Sequence, residues 1–339
     1  MNDLLVLSGV FILFLLSFIL FYLQVSTPFA GDLDSHLKFA LELMKGQRTI
    51  PHPGFHYSIL FLSKETGLTL GVTASLLLAA AISTSYFIVY FILKHRLGAR
   101  YPVYFLVSVS LILAVASAIY APFFNKNIYL GQGTPNIWHN PTWIMMQPFA
   151  LLCFFLTERY LQLSHWDNWM IGMASAALVI SAFFKPSFAL VFIPALALYS
   201  LVVPEVKRFL NLNMVGIVVI VMPTLILMGF QYQIKYSPDK IQATSVIFAP
   251  FEVWGAKTPS IAFSTLLTLA FPLATVFLKP KSLIEQQGYL LAWLLVLVAF
   301  LQRLLLAESG GFKPHGNWAW GYFIAIKVIF IYSLLTLMN

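Results

Sequence analysis

Residues 4–25 read LLVLSGVFILFLLSFILFYLQV and carry no charged side chain. An α-helix needs about 20 apolar residues to cross the hydrocarbon core of a bilayer. No small-residue cleavage site follows this run, which argues against a cleaved signal peptide. We therefore interpret residues 4–24 as a retained membrane helix, which means that the chain folds with at least this helix in the bilayer.

The whole chain has the composition of an integral membrane protein. Of its 339 residues, 60% are hydrophobic and 9% are charged, whereas a soluble domain carries about 25% charged residues. No polar stretch is long enough to bury a core of its own, so we predict one integral membrane domain over residues 1–339. The single cysteine, Cys153, excludes an intramolecular disulfide and a cysteine metal site. The net charge of +8 comes from cations scattered through loops, which argues against a nucleic-acid partner.

Apolar segments of spanning length recur along the chain and predict an all-α polytopic membrane protein with about ten transmembrane helices. The segments are 4–24, 70–93, 101–121, 143–161, 168–184, 186–203, 213–231, 260–278, 288–305 and 320–338. The region 168–203 also fits one bent hairpin.

The short connections between these segments carry much of the positive charge, at 94–100, 204–211 and 279–288. Because Lys and Arg are enriched in short cytoplasmic loops, we predict that the N-terminus and the C-terminus are both cytoplasmic. The long connections then lie outside, and they hold five of the seven histidines. Loops carry binding and catalytic residues more often than the elements they connect, so we expect the functional site on the extracytoplasmic face. The compact form favours a bacterial plasma (inner) membrane over the endoplasmic reticulum.

The stretch 31-GDLDSHLKFALELMKGQ-47 follows the first span and, unlike that span, contains several charged side chains. On a helical wheel its apolar side chains fall on one side and its charged side chains on the other, with opposite charges four residues apart. It is too short and too charged to span, so we predict an amphipathic interfacial helix in the first extracytoplasmic loop. Asp32 lies at a natural N-cap position. One interpretation is therefore purely structural: Asp32 caps the helix, and Asp34 pairs with Lys38.

The position of this Asp-x-Asp pattern supports a second interpretation. An acidic motif in the first extracytoplasmic loop, followed by a helix along the membrane surface, resembles the integral-membrane glycosyltransferases of the C superfold (GT-C). The matching residues are Asp32, Asp34 and the helix through Gly46, and they identify no family within the superfold. The resemblance implies an enzyme that takes a sugar from a polyprenyl-phosphate carrier and passes it to a glycan, lipid or protein acceptor.

A carboxylate at the membrane boundary can deprotonate an acceptor hydroxyl, or hold a divalent metal that activates it. We predict Asp32 as the base because it lies nearer the membrane exit, with Asp34 as the alternative. His36 follows four residues later, where it would orient the Asp32 carboxylate or raise its basicity. The sequence leaves open whether a metal takes part and which sugar and acceptor react.

The other extracytoplasmic loops supply candidate substrate-binding side chains. In 129-YLGQGTPNIWHNPTWIMMQP-148, amides and indole rings are combined as sugar sites require, although the rings also fit an interfacial aromatic belt. Lys185 is a lone cation between apolar segments, suited to a lipid-linked phosphate or to snorkelling towards headgroups. We expect Lys185 and Lys313 to converge on one phosphate. The full set is His52, His56, Asn136, Trp138, His139, Asn140, Lys185, Glu252, Glu308, Lys313, His315 and Asn317.

Three other functions also fit the sequence. A transporter or flippase would carry ionisable residues in mid-membrane and two matching halves, whereas Lys327 is the main mid-span charge here and no internal repeat is visible. A membrane acyltransferase would use a His–Asp pair, which His36 and Asp32 would imitate. A non-catalytic protein with the same topology is the third. The sequence has no P-loop, dinucleotide-binding or Gly-x-Ser-x-Gly motif, so nucleotide donors and serine hydrolysis have no support.

Overall fold

The computed structural model describes residues 2–27, 31–98, 100–115, 118–127, 130–133, 138–163, 165–203, 212–236 and 244–339. Of these described residues, 78% are helical. Its helices are α1 (Asn2–Ser26), α2 (Leu33–Met44), α3 (Gly54–Thr66), α4 (Leu70–Leu97), α5 (Val103–Val115), α6 (Pro141–Leu161), α7 (Asn168–Phe184), α8 (Ser187–Val202), α9 (Leu212–Tyr236), α10 (Glu252–Gly255), α11 (Ile261–Leu278), α12 (Ser282–Glu285), α13 (Gln287–Leu305) and α14 (Ala319–Met338). A 3₁₀ helix (Gly310–His315) precedes α14.

Several of these helices are long and apolar enough to cross a bilayer. Six described helices meet that criterion, namely α1, α4, α9, α11, α13 and the helix that includes α14, while α5, α7 and α8 are apolar but shorter. The predicted class, an all-α membrane protein, is therefore confirmed. Helices also lie in all ten predicted segments, with two separate helices, α7 and α8, in the 168–203 region. The number of spans stays a prediction.

The bundle is organised around α14. Most of its apolar stretch, 78%, is buried, against 28% for α1 and for α11. α14 packs against α13, α11 and α8, while α1 packs against α4, α4 against α6, α6 against α7 and α7 against α9. Helices at the edge of such a bundle present apolar side chains to lipid, because lipid tails are as apolar as leucine.

The two helices of the first long connection lie across the end of this bundle. α2 buries Leu33 and Ala40, whereas Asp34 and Lys38 pair across 2.7 Å on its exposed face, as their spacing predicts. α3 packs against α4, α6 and α7. Its first residue, Gly54, has to be glycine because a Cβ there would lie 2.9 Å from the Phe183 carbonyl oxygen, closer than side chains pack. The membrane-interface position of α2 stays a prediction.

The lone mid-span cation, Lys327, has a structural partner. Its ammonium donates to Gln147 Oε1 at 2.6 Å and to the Ala114 carbonyl oxygen at 3.2 Å. Ala114 is in the last described turn of α5. The last carbonyls of a helix lack intrahelical donors and attract cations, so Lys327 caps the last described turn of α5.

Different connections between the helices lie at the two ends of the bundle. At one end, a two-stranded antiparallel ladder joins β1 (Val246–Phe248) to β2 (Leu306–Glu308), between two of the long connections. At the other end, Arg96, Glu158, Gln286 and Tyr332 surround a cavity of about 610 Å³. The connection 204–211 lies outside the described residues. Which end faces the cytoplasm stays a prediction.

Candidate functional site

The long connections meet around one cavity of about 590 Å³. This volume is typical of a small-molecule site. Eight of the predicted site residues line the cavity: Asp32, His36, His52, Asn140, Lys185, Glu308, His315 and Asn317. They come from positions that are far apart in the chain, so the fold rather than local sequence brings them together.

Asn140 is the centre of the hydrogen-bond network in this cavity. Its amide nitrogen donates to Asp32 Oδ2 at 2.8 Å, and its amide oxygen accepts from Lys185 Nζ at 3.3 Å. The same oxygen accepts from the Trp143 backbone N–H at 2.9 Å and from the Thr142 hydroxyl at 2.8 Å. Three donors on the oxygen and one carboxylate on the nitrogen fix which way the amide points. Asn140 therefore holds an acid and a cation at one wall of the cavity.

The position of Asn140 follows from helix capping. It is the N-cap of α6, and Pro141 occupies the first helical position, where its fixed φ and missing N–H cost nothing. A sequence reading Asn-Pro before an apolar run therefore indicates a helix start. Because the cap uses the amide oxygen, the amide nitrogen remains free to hold Asp32.

Lys185 lies in the break between α7 and α8. Pro186 follows it and has no backbone N–H to continue α7. The ammonium is buried, donates also to Thr142 Oγ1 at 3.3 Å, and lies 4.9 Å from the centroid of the Trp320 ring. Burial lowers the pKa of Lys185 to about 8, although the Asp32 and Glu308 carboxylates act in the opposite direction. An anion in the cavity would stabilise the charged form of this amine.

His139, rather than His36, is the histidine beside Asp32. His139 Nε2 lies 3.6 Å from Asp32 Oδ2, and the Asp32 backbone N–H donates to the His139 carbonyl oxygen at 3.4 Å. The His139 ring stacks on Trp320. Burial lowers the pKa of His139, and the Asp32 carboxylate only partly offsets this effect. The hypothesis that His36 orients Asp32 is corrected here, since the ring of His36 turns towards α3 instead.

His36 bonds to a second histidine. Its Nδ1 lies 3.0 Å from Nε2 of His56, a residue of α3 that is 1% exposed and lies behind His36. Burial and, secondarily, the His56 ring hold the pKa of His36 well below its usual value. Burial lowers the pKa of His56 to about 4. Burial and the Lys185 cation likewise hold the pKa of His52 well below its usual value. All three rings are therefore neutral at pH 7.

A second carboxylate, Glu308, lines the cavity from the ladder. It accepts from Asn317 Nδ2 at 2.8 Å and from the Tyr236 hydroxyl at 3.4 Å, and its Oε1 lies 3.4 Å from Lys235 Nζ. Sequence reasoning missed Lys235 and Tyr236. Hydropathy ended that span at 231, whereas α9 continues for five more residues and carries both side chains into the cavity. The polar-aromatic run 232-YQIKY-236, directly after the apolar segment, was the signal that could have found them.

Four other predicted residues, Asp34, Trp138, Glu252 and Lys313, do not line the cavity. Asp34 is exposed on α2 and pairs with Lys38. Glu252 and Lys313 pair with each other on the surface, so Lys313 does not converge with Lys185 as predicted. Trp138 packs against the core and accepts at its carbonyl oxygen from Gln24. Asn136 lies outside the described residues.

The donor set of the cavity is suited to hydrogen bonding and charge pairing. Among the described residues, no group of three or more His, Cys, Asp or Glu side chains converges to hold a metal ion. The cavity does contain two carboxylates, two lysines and several neutral polar side chains beside the indole rings of Trp318 and Trp320. A carboxylate can take a proton and a buried ammonium can bind an anion.

The cavity also has an apolar side. Leu190 of α8 and Met228 and Tyr232 of α9 line it. α8 packs against α13 and α14, and α9 packs against α7, so the described parts of α8 and α9 make little contact with each other. The polar wall of the cavity therefore adjoins an apolar gap between α8 and α9.

Comparisons of the chain with protein-family models, with curated proteins and with solved structures give no match.

Proposed function

We propose that the protein is an integral-membrane glycosyltransferase that moves a sugar from a polyprenyl-phosphate carrier to an acceptor hydroxyl in this cavity. The observation that carries the proposal is the Asp32–Asn140–Lys185 chain, in which one amide binds both a carboxylate and an ammonium. The reaction needs these two groups together: a base for the acceptor and a cation for the departing phosphate.

In the proposed step, Asp32 takes the proton of the acceptor hydroxyl as its oxygen forms a bond to the anomeric carbon of the sugar. The bond between that carbon and the phosphate oxygen breaks, and polyprenyl phosphate leaves with the electron pair. Lys185 stabilises the negative charge that develops on this phosphate. The carboxylate of Asp32 is held by an amide donor rather than by a strong ion pair, so it stays available as a proton acceptor.

The apolar gap supports a lipid-linked donor over a soluble one. A polyprenyl chain needs contact with lipid, while its phosphate and sugar need polar partners. Leu190, Met228 and Tyr232 supply an apolar path, and the phosphate would then lie near Lys185, with Lys235 as a second cation in the same cavity. The indole rings suit the C–H faces of a sugar ring, and the amides of Asn140 and Asn317 suit its hydroxyls.

The membrane acyltransferase remains the second candidate because of a specific pair. His139 and Asp32 lie 3.6 Å apart, as a His–Asp acyl-transfer site would require. Two features favour glycosyl transfer: the His139 ring is stacked on Trp320, and the buried Lys185 ammonium suits the phosphate of a lipid-linked sugar. The transporter is less favoured, because the mid-span cation Lys327 caps α5.

The proposal is tested with purified protein in proteoliposomes. The probes are polyprenyl phosphates that carry radiolabelled hexoses or pentoses, with membrane-lipid extract and oligosaccharides as acceptors. We expect transfer of label together with release of polyprenyl phosphate. Transfer from acyl donors alone would favour the acyltransferase, and accumulation of solute inside the vesicles with no product from any donor would favour a transporter. Either result would rule out the proposed function.

A further inference from the structure

The His36–His56 pair has one ring in the cavity and one ring behind it. His36 lines the cavity, whereas His56 lies under it with 1% of its surface exposed. The two rings are joined by the Nδ1–Nε2 contact of 3.0 Å. His56 Nδ1 is buried and has no hydrogen-bond partner among the described residues. The pair therefore contains one hydrogen bond, one buried nitrogen without a partner, and one further nitrogen, His36 Nε2, on the ring that lines the cavity.

Both rings carry a single N–H. The pKa of His36 is lowered by burial and, less strongly, by His56, Lys185, His52 and His139, and that of His56 by burial and by Arg48. A neutral imidazole has one donor nitrogen and one acceptor nitrogen. Only two arrangements of the pair are then possible, according to which ring donates across the contact.

The buried nitrogen of His56 decides between them. If His36 donated, His56 would carry its proton on Nδ1, and a buried N–H would have no acceptor. If His56 donates from Nε2, its Nδ1 is a bare acceptor. Buried N–H groups without acceptors are rarer in proteins than under-satisfied acceptors, and the second arrangement is favoured. His36 then accepts at Nδ1 and carries its proton on Nε2.

We infer that His36 donates its Nε2–H to a phosphate oxygen in the cavity, and that His56 is a positioning residue that holds His36 in this tautomer. The identity of the ligand rests on the proposed function, whereas the tautomer does not. Lys185 lines the same cavity, so an ammonium and a neutral N–H would bind the same phosphate. Hydrogen bonds from these two donors would fix the orientation of the phosphate, whereas a single ammonium would not.

Aromatic packing alone would give His36 no preferred tautomer. Phe39 and Phe55 both lie edge-on to its ring, at centroid distances of 5.7 and 6.1 Å. A replacement of His56 must therefore change hydrogen bonding and keep volume. His56→Gln and His56→Met are matched for this purpose, because the two side chains are equally long and only the glutamine amide can donate to His36 Nδ1.

The experiment is ¹⁵N NMR of the full-length protein, labelled on histidine, in lipid nanodiscs. We expect a neutral His36 with its proton on Nε2 in the wild type and in His56→Gln, and a mixture of tautomers in His56→Met. His36→Phe assigns the His36 signal. His95→Gln is the control, because His95 lies in the last turn of α4 and does not line the cavity, so its loss should leave the His36 signal unchanged. A His36 proton on Nδ1 in the wild type, or identical spectra for the two His56 variants, would overturn the inference.

Binding measurements on the same samples test the ligand. We expect polyprenyl phosphate to bind His56→Met about ten-fold more weakly than wild type, and His56→Gln less than about three-fold more weakly, as the loss of one hydrogen bond predicts. Inorganic phosphate should compete only weakly, because it lacks the lipid chain; equal affinity would assign the site to free phosphate and overturn the lipid assignment. If these results hold but no donor supports sugar transfer, the proposed function is wrong and the role of His36 stands.

Discussion

Asn140 holds Asp32 by a 2.8 Å hydrogen bond between side chains that are 108 residues apart in the chain. The same amide caps α6 and accepts from Lys185. One residue thereby links the start of a membrane helix to the two charged groups on which the proposed chemistry depends. A helix cap is rigid because backbone N–H groups fix its side chain, and this rigidity fixes the position of the carboxylate.

Substitutions at Asn140 separate its two roles. Serine is a good N-cap but is too short to reach Asp32 and Lys185, whereas alanine loses all four side-chain hydrogen bonds of Asn140. We expect Asn140→Ser to lower kcat/KM about ten- to hundred-fold with little loss of stability, because a misplaced catalytic group is costly. Asn140→Ala should lose similar activity and about 1 kcal/mol of unfolding free energy in addition. Transfer assays measure kcat/KM, and thermal unfolding in the same detergent measures stability. Full activity in Asn140→Ser would contradict the role of Asn140 in positioning Asp32 and Lys185.

The pKa of Lys185 predicts an alkaline limit to activity. Burial lowers this pKa to about 8, so the free enzyme loses the ammonium as the pH rises through that value and binds an anionic donor less well. We expect kcat/KM to fall about ten-fold per pH unit above the limit, since this parameter reports groups of the free enzyme. Lys185→Arg should move the limit upward by more than one unit, because guanidinium keeps its proton. Lys64→Arg, outside the cavity, is the control, and an unchanged limit in Lys185→Arg would contradict the phosphate role.

A buried ion pair, Arg96–Glu158, lies at the opposite end of the bundle. Glu158 is 2% exposed and accepts from Arg96, Gln162 and Tyr332. Arg96→Met leaves a buried carboxylate without its cation, which typically costs about 3–5 kcal/mol. Lys38→Met removes a pair whose side chains are about two-thirds exposed, and such pairs contribute about 0–1 kcal/mol. Thermal unfolding of both variants in the same detergent compares them, and equal losses would contradict this account.

The side of the membrane on which each connection lies can be measured directly. Asn127 and Arg100 are exposed at connections predicted to lie on opposite sides, and the native Cys153 is buried. We expect a membrane-impermeant maleimide to label Asn127→Cys in intact cells and Arg100→Cys only after permeabilisation. The reverse pattern would place the cavity on the cytoplasmic side, where an extracytoplasmic acceptor is not available.

The helices were predictable because membrane-spanning length leaves a strong local signal. Runs of about 20 apolar residues locate helices even where, as for α7 and α8, the break is a single Lys-Pro pair. The exposed Asp34–Lys38 pair was predictable for the same reason, since it depends only on a four-residue spacing.

The contacts of the site were less predictable because they depend on packing between distant segments. Asp32, Asn140, Lys185 and Glu308 were each identified as candidates, but no local pattern indicates that Asn140 joins Asp32 to Lys185. The partner of His36 was assigned wrongly, since helical spacing pointed to Asp32 while the packing of α2 on α3 brings His56 to it. Lys313 was misplaced because its partner, Glu252, lies 61 residues away in the chain.

The most direct test of the central claim compares Asp32→Asn with Asp34→Asn in sugar transfer from polyprenyl phosphate. The two changes are chemically identical and two residues apart, but only Asp32 lines the cavity. We predict that Asp32→Asn lowers kcat about 10²- to 10⁴-fold, as the loss of a general base does, with unchanged expression and unfolding temperature. Asp34→Asn should stay within about two-fold of wild type, because an exposed pair contributes little. Near-normal transfer by Asp32→Asn, or equal loss in both variants, would contradict Asp32 as the base of this reaction.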